Sequence, residues 1–291
     1  MRNVSYVLDG QLEWAPLDND YDVVAIGDPK SSSVKRYPIM SGKAQFVASL
    51  KEQFPDVEDH AGIDKYMQLL STVRTEMLGF VGLKFMPVWM AKLALYSGLL
   101  RFYTKFFDYS ARSLHDVLLE VSPHNAELRA VLGYCFGDYG TLPKDTSFSM
   151  HAVLVNHFLL GVAYPVGGAS EIAYNIVPTI LRSGGACYVR ALVGSILLDS
   201  STSKAIGVIM AKDGREIRAP IVISDAGIFN TFESLLPQLP KQLTAHVNAV
   251  QHGWGGMSVF VGLRGTHEGR FLMVCMSLLY MPGYCCGQGR G

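Results

Sequence analysis

The sequence predicts a mixed α/β chain of the α+β kind: a largely helical first part followed by a helix–strand meander. Three observations predict it. Apolar residues recur at helical spacing through most of residues 41–160. The character changes at Tyr164, where Pro165-Val166-Gly167-Gly168 forms a turn. From Cys187 to Ser224, short runs alternate apolar and polar residues, and Asp213-Gly214 supplies hairpin-turn chemistry. The 291 residues suffice for one large domain or two ordinary ones.

The elements follow in order. Tyr21–Ile26 is a strand ending at Gly27, with Val34–Met40 as its hairpin partner and Asp28-Pro29-Lys30-Ser31 between them. Ser41 precedes a helix that Pro55 stops after Phe54. Ile63–Leu78 is a helix on the spacing of Tyr66, Leu69, Leu70, Val73 and Met77. Gly79–Phe107 reads as two helices broken near Pro87 and Ser97-Gly98. Ser113 with Asp116 makes a capping box before Val117. Asn125–Phe136 is a helix, Gly137–Pro143 a loop, and Phe148–Leu160 a helix. Ala169–Arg182 is a helix capped by Gly184-Gly185. Strands are expected at Cys187–Leu198, Ala205–Ala211, Arg215–Ala219, Ile221–Ser224 and Met257–Leu263, and helices at Ile228–Leu236 and Lys241–Val250.

Composition narrows the function classes. Hydrophobic residues make up 49% and charged residues 17%, which indicates a globular chain rather than a disordered one. The formal net charge is zero, so no global field draws in nucleic acid, and no nucleic-acid partner is expected. Five cysteines without regular spacing make no disulfide framework, and no C-x-x-C pair indicates zinc; no metal site is expected. There is no G-x-S-x-G, Walker A, H-E-x-x-H or G-x-G-x-x-G motif. His151 and His157 fall on different helix faces and read as ordinary helix residues. No targeting segment is visible at the start. The uncharged stretch from Phe271 to Met281 is too short for a helical span and reads as buried or interfacial.

The Gly167-Gly168 pair permits close backbone approach to a ligand, and the following helix aims its positive end at the same turn; a plain strand-to-helix turn accounts for the pair equally. Tyr164–Ala173, together with Ile180, Gly184-Gly185-Ala186, Val193, Ile196, Gly207-Val208 and Ile223–Thr231, resembles the family of retinol saturases, phytoene desaturases and carotenoid isomerases. Gly10–Leu17, Leu50–Pro55, Ile63–Tyr66 and Phe148–His157 resemble its saturase branch, and the resemblance extends from about Gly10 to about Glu268. It implies a Rossmann-like domain holding FAD, a helical substrate region with an apolar tunnel, NAD or NADP as upstream electron donor, and a retinol or carotenoid-like polyene as substrate. The implied reaction saturates the 13,14 double bond of all-trans-retinol, at the endoplasmic reticulum membrane. Isomerisation or desaturation of another polyene is the alternative within the family.

The resemblance also implies cofactor-binding positions. Gly167 and Gly168 lie near the flavin–substrate junction. The Val193 backbone meets the adenine end, and Ser224, Asp225 and Ala226 run beside the cofactor. No general acid is assigned; Tyr139, Tyr164 and Asp225 are available donors that read first as structural. The implied organisation is a substrate-binding region over 1–162, part of the FAD-binding domain over 163–236, a return to the substrate region over 237–268, and a divergent tail over 269–291. The family's N-terminal dinucleotide fingerprint has no counterpart here, so the chain is expected to begin after it. A non-catalytic fragment or a lipid-binding remnant is therefore the second reading. Finally, Gly79–Phe107 carries four cations, no acids and eight aromatics, which suits contact with a membrane surface.

Overall fold

The computed structural model describes residues 12–28, 33–239, 241–250, 253, 255–261 and 274–280. The chain forms two compact units. The larger is Leu12–Ala169 with Gly253–Gly291, and the smaller is Ser170–His252 with Met1–Gln11.

The larger unit opens with β1 (Trp14–Pro16), β2 (Asp20–Ile26) and β3 (Lys35–Met40). β2 and β3 form the expected antiparallel hairpin, with Ile26 opposite Lys35. The turn expected over Pro29-Lys30-Ser31 lies outside the described residues. α1 (Lys43–Gln53) starts after Gly42 and stops before Pro55. α2 (Val57–Lys84) is longer at both ends than the expected Ile63–Leu78. Asp56, Glu58 and Asp59 favour its positive end. Gly79 does not end it, because packing outweighs a propensity cost of about 1 kcal/mol. A Cβ on Gly79 would stand 2.7 Å from Cβ of Thr104, whose hydroxyl donates to the Glu76 carbonyl, so the glycine makes room for a close approach.

Three short helices follow: α3 (Val88–Tyr96), α4 (Leu100–Tyr103) and α5 (Phe106–Ser110). The breaks fall at Pro87 and Ser97-Gly98, as their chemistry predicts. α6 (Leu114–Val121) begins at Ser113, whose hydroxyl accepts the Asp116 N–H at 3.1 Å. α7 (Ala126–Leu132) begins at Asn125, whose side chain accepts the N–H groups of Glu127 and Leu128. The chain then tightens into a 3-10 helix, Tyr134–Tyr139, closed by Gly140 at φ 66°. The expected loop at Gly137 thus starts three residues later. Hydroxyl bonds from Tyr134 to Tyr21 and from Tyr139 to His151 pin both ends of the 3-10 segment. α8 (Phe148–Phe158) leads to β4 (Ala163–Pro165), which pairs antiparallel with β1.

The core of this unit gathers on α2, which packs against α1, α5, α6 and α8. Ile63, Tyr66, Leu70 and Val73 are buried along one α2 face, against Leu114, Val117, Leu128 and Phe148. Each such side chain contributes about 1.5–3 kcal/mol of burial.

The smaller unit comprises α9 (Ser170–Arg182), then β5 (Val193–Leu198), β6 (Ala205–Met210) and β7 (Glu216–Arg218). The strands form one antiparallel sheet in the order β5-β6-β7, with Val193 opposite Met210. The first strand starts at Val193 rather than Cys187, because Arg190 adopts φ 55° and interrupts the extended run. Ile221–Ser224 forms no strand among the described residues. Its alternation has no face to cover it, with Ile221 and Ile223 74% and 90% exposed. Asn230–Leu235 is a π-helical turn in which the Leu236 N–H bonds to the Thr231 carbonyl. α10 (Lys241–Ala249) follows. Among the described residues, Ile196 and Val247 are the buried hydrophobic side chains of this unit.

The chain returns to the larger unit as β8 (Gly255–Val261) and β9 (Val274–Tyr280), paired antiparallel. The stretch expected to be a buried or interfacial segment thus contains a strand. No helix among the described residues is long and apolar enough to cross a membrane. The fold is mixed helix and strand, as predicted, and every strand pair among the described residues is antiparallel.

Candidate functional site

The smaller unit holds a cavity of about 440 Å3, within the range of small-molecule sites. Its wall is built by β5, β6 and the segment from Val222 through the π-helical turn. Ile196 and Ala205 come from the strands, and Ile228, Phe232 and Leu236 from the turn. Gly227, at φ 87°, accepts the Thr231 N–H through its carbonyl at the start of this turn, and Thr231 and Phe232 both line the cavity.

Ser224 and Asp225, both expected beside the cofactor, line this cavity. The Ser224 hydroxyl is 2.6 Å from that of Thr231, which ties the start of the segment to the π-helical turn. The Ala226 carbonyl accepts the Asn230 side-chain amide at 2.9 Å, so Ala226 braces the turn rather than lining the cavity. Val193 opens β5, three residues before Ile196. Gly167 and Gly168 belong to the larger unit, at φ 90° and 104°, conformations that glycine adopts without strain. The Gly168 N–H closes the turn on the Pro165 carbonyl at 3.0 Å, and a Cβ there would meet no atom within 4 Å.

Sequence reasoning missed Ile228, Phe232 and Leu236 as wall residues. Their signal was present: they recur every four residues after the Ser224-Asp225-Ala226-Gly227 stretch. It also missed the buried polar cluster of the larger unit. His151 is fully buried. Its Nε2 is 2.8 Å from the Tyr66 hydroxyl and 3.2 Å from the Leu132 carbonyl, and its Nδ1 is 3.0 Å from the Tyr139 hydroxyl and 3.6 Å from Cys135 Sγ. Burial pushes the His151 pKa down to about 4 and the Cys135 thiol up to about 12, so both are neutral. His157 is exposed. No cluster of metal-ligating side chains occurs among the described residues.

The residues fit a flavin dinucleotide only in part. The apolar wall of this cavity suits close approach of a planar group. A pyrophosphate needs cations or a helix N-terminus at a glycine-rich turn, yet the charged side chain lining the cavity is the carboxylate of Asp225. The lining of this cavity offers no cation for a pyrophosphate, and no chemical step is derived through the cofactor.

No protein-family model matches the chain. Curated relatives match over most of it. A zebrafish (Danio rerio) protein named all-trans-retinol 13,14-reductase is 45% identical over 270 residues, 91% of this chain and 44% of its own length. The human (Homo sapiens) protein of that name is 42% identical over 268 residues, 90% of this chain and 43% of its own length. Over nine-tenths of its length this chain is similar in sequence to the all-trans-retinol 13,14-reductases. It spans less than half the length of those reductases. A second zebrafish relative, named an inactive all-trans-retinol 13,14-reductase, is 32% identical over 90% of this chain and 43% of its own length. Carotenoid isomerases and a phytoene desaturase match only 31–38% of the chain.

Proposed function

We propose that this chain forms part of an FAD-dependent oxidoreductase that saturates the 13,14 double bond of all-trans-retinol. The observation that carries the reading is identity of 41–45%, over nine-tenths of the chain, to four proteins named for that reaction. The shorter matches to carotenoid isomerases and a phytoene desaturase favour the same polyene class of substrate and, with it, FAD as cofactor. NAD or NADP is the proposed electron donor, and the endoplasmic reticulum membrane the proposed location.

In this reading the Rossmann-like FAD-binding part corresponds to 163–236 and the substrate region to 1–162 and 237–268, with 269–291 as a divergent tail. Bound flavin supplies two-electron reduction of a carbon–carbon double bond. Gly167 and Gly168 permit close backbone approach to it. Val193, Ser224, Asp225 and Ala226 flank it, while Ile196, Ile228 and Phe232 exclude water. The second reading, a non-catalytic fragment or a lipid-binding remnant, is favoured by a cavity lining that offers a carboxylate and no cation to a pyrophosphate, and by a relative named as inactive.

A chimera separates the two. The matching segment of the zebrafish reductase is replaced by this chain, the protein is loaded with FAD, and it is given all-trans-retinol and a reductant. The first reading expects a product heavier by two hydrogens. A folded, flavin-loaded chimera that leaves retinol unchanged contradicts it and supports the second. An isomerised product of unchanged mass points to carotenoid-isomerase chemistry.

A further inference from the structure

The end of α2, with α3 and α4, presents apolar side chains on every side. Phe85 is 85% exposed, Trp89 67%, Tyr96 83% and Phe102 91%. α3 buries no residue. An unpaired apolar surface of this kind marks a contact site rather than ordinary surface. The patch stands on a packed base. Phe80 stacks on Phe106 with ring centroids 4.9 Å apart, Phe106 and Phe107 meet edge to face, and Thr104 is tied to the Glu76 carbonyl.

Charge decides what covers it. Lys84 at the end of α2 and Lys92 on α3 are exposed, as is Lys105 just before α5, and residues 79–107 contain no carboxylate. Protein interfaces are depleted in lysine relative to the rest of the surface. Bilayer interfaces combine tryptophan, tyrosine and lysine, with the ammonium groups reaching the phosphates and the rings at headgroup level. Helix length agrees. α3 has nine residues and α4 four, separated by Ser97-Gly98, too short to cross a bilayer but suited to lying in its plane.

We propose that α3, α4 and the last turn of α2 form an in-plane docking surface for a bilayer bearing anionic lipid. Phe85, Trp89, Tyr96 and Phe102 enter the headgroup–acyl boundary, and Lys84 and Lys92 face the phosphates. The proposal stands on this patch alone and does not depend on the flavin chemistry, so its failure leaves the oxidoreductase reading intact.

The test is flotation of the full chain with vesicles of phosphatidylcholine, with and without phosphatidylserine. Binding is expected to the mixed vesicles, weakened by salt, with Trp89-dependent quenching by brominated lipid. Neutralising Lys84 or Lys92 (K84Q, K92Q) lowers the partition coefficient about fivefold each. Trp89→Ser with Phe102→Ser abolishes binding; both side chains are exposed, so the core is untouched, and an unchanged circular dichroism spectrum verifies the fold. No flotation, or flotation unchanged by these substitutions, overturns the proposal. So does self-association that buries Trp89 without lipid, which assigns the patch to a second copy of the chain.

Discussion

At the scale of the residue, His151 is a titratable group held entirely out of water. One tautomer satisfies its whole neighbourhood. With the proton on Nε2, the ring donates to the Tyr66 oxygen, Tyr66 donates to the Leu132 carbonyl, and Tyr139 and Cys135 donate to Nδ1. The other tautomer leaves the acceptor Nδ1 without its role and the Leu132 carbonyl with one donor fewer. Protonating the ring adds a charge where no carboxylate is bonded, and burial holds its pKa near 4 against an ordinary 6.5. The unfolded chain therefore takes up the proton first as pH falls. The stability from this group is full above pH 6.5 and is lost as pH drops through about 4. The loss amounts to about 3 kcal/mol at the acid end. Urea unfolding across this range measures it; a His151→Gln variant, which cannot gain the proton, is expected to show a shallower acid decline. Equal declines in both proteins contradict the assignment. The sequence placed His151 on a helix and read it as an ordinary helix residue. It gave no sign of the buried cluster, because Tyr66 comes from α2 and Cys135 and Tyr139 from the 3-10 segment.

At the scale of the element, the crossing of α2 and α6 depends on a glycine. A Cβ on Gly62 would collide with the Val121 carbonyl oxygen, which is backbone and has no side-chain freedom to move aside. Alanine gains about 1 kcal/mol in helix propensity over glycine, but overpacking costs about 1–3 kcal/mol. Gly62→Ala is expected to lower the urea midpoint with an unchanged slope. A neutral or stabilised variant shows that the two helices are not held at this distance. Elements set by local chemistry were legible in the sequence. The Ser113 and Asn125 caps, the stop before Pro55 and the breaks at Pro87 and Ser97-Gly98 follow from one or two residues each. Elements set by distant partners were not. The β1–β4 pair joins three-residue strands far apart in sequence, which carry no periodicity. Ile221–Ser224 alternates like a strand, yet no partner binds it among the described residues. The π-helical turn differs from an α-helix by a single hydrogen-bond step that composition does not encode.

At the scale of the whole molecule, the two units differ in how they are held. The larger has a continuous core along α2, whereas the smaller buries few hydrophobic side chains and surrounds its cavity with half-exposed ones. Ser224 and Asp225, which line the cavity, were expected beside a cofactor only through the family resemblance; nothing in their own chemistry distinguishes them from a loop. The wall residues Ile228, Phe232 and Leu236 were legible in principle by spacing. The proposed reading gives this chain surfaces that flank a flavin, while its sequence holds no G-x-G-x-x-G turn to grip the pyrophosphate. The measurement that tests this most directly is the visible absorption spectrum of the purified chain after incubation with FAD and desalting. The account predicts that the flavin band is lost on the column. A retained and shifted band contradicts it, and shows that this chain holds the dinucleotide by residues other than a glycine-rich cradle.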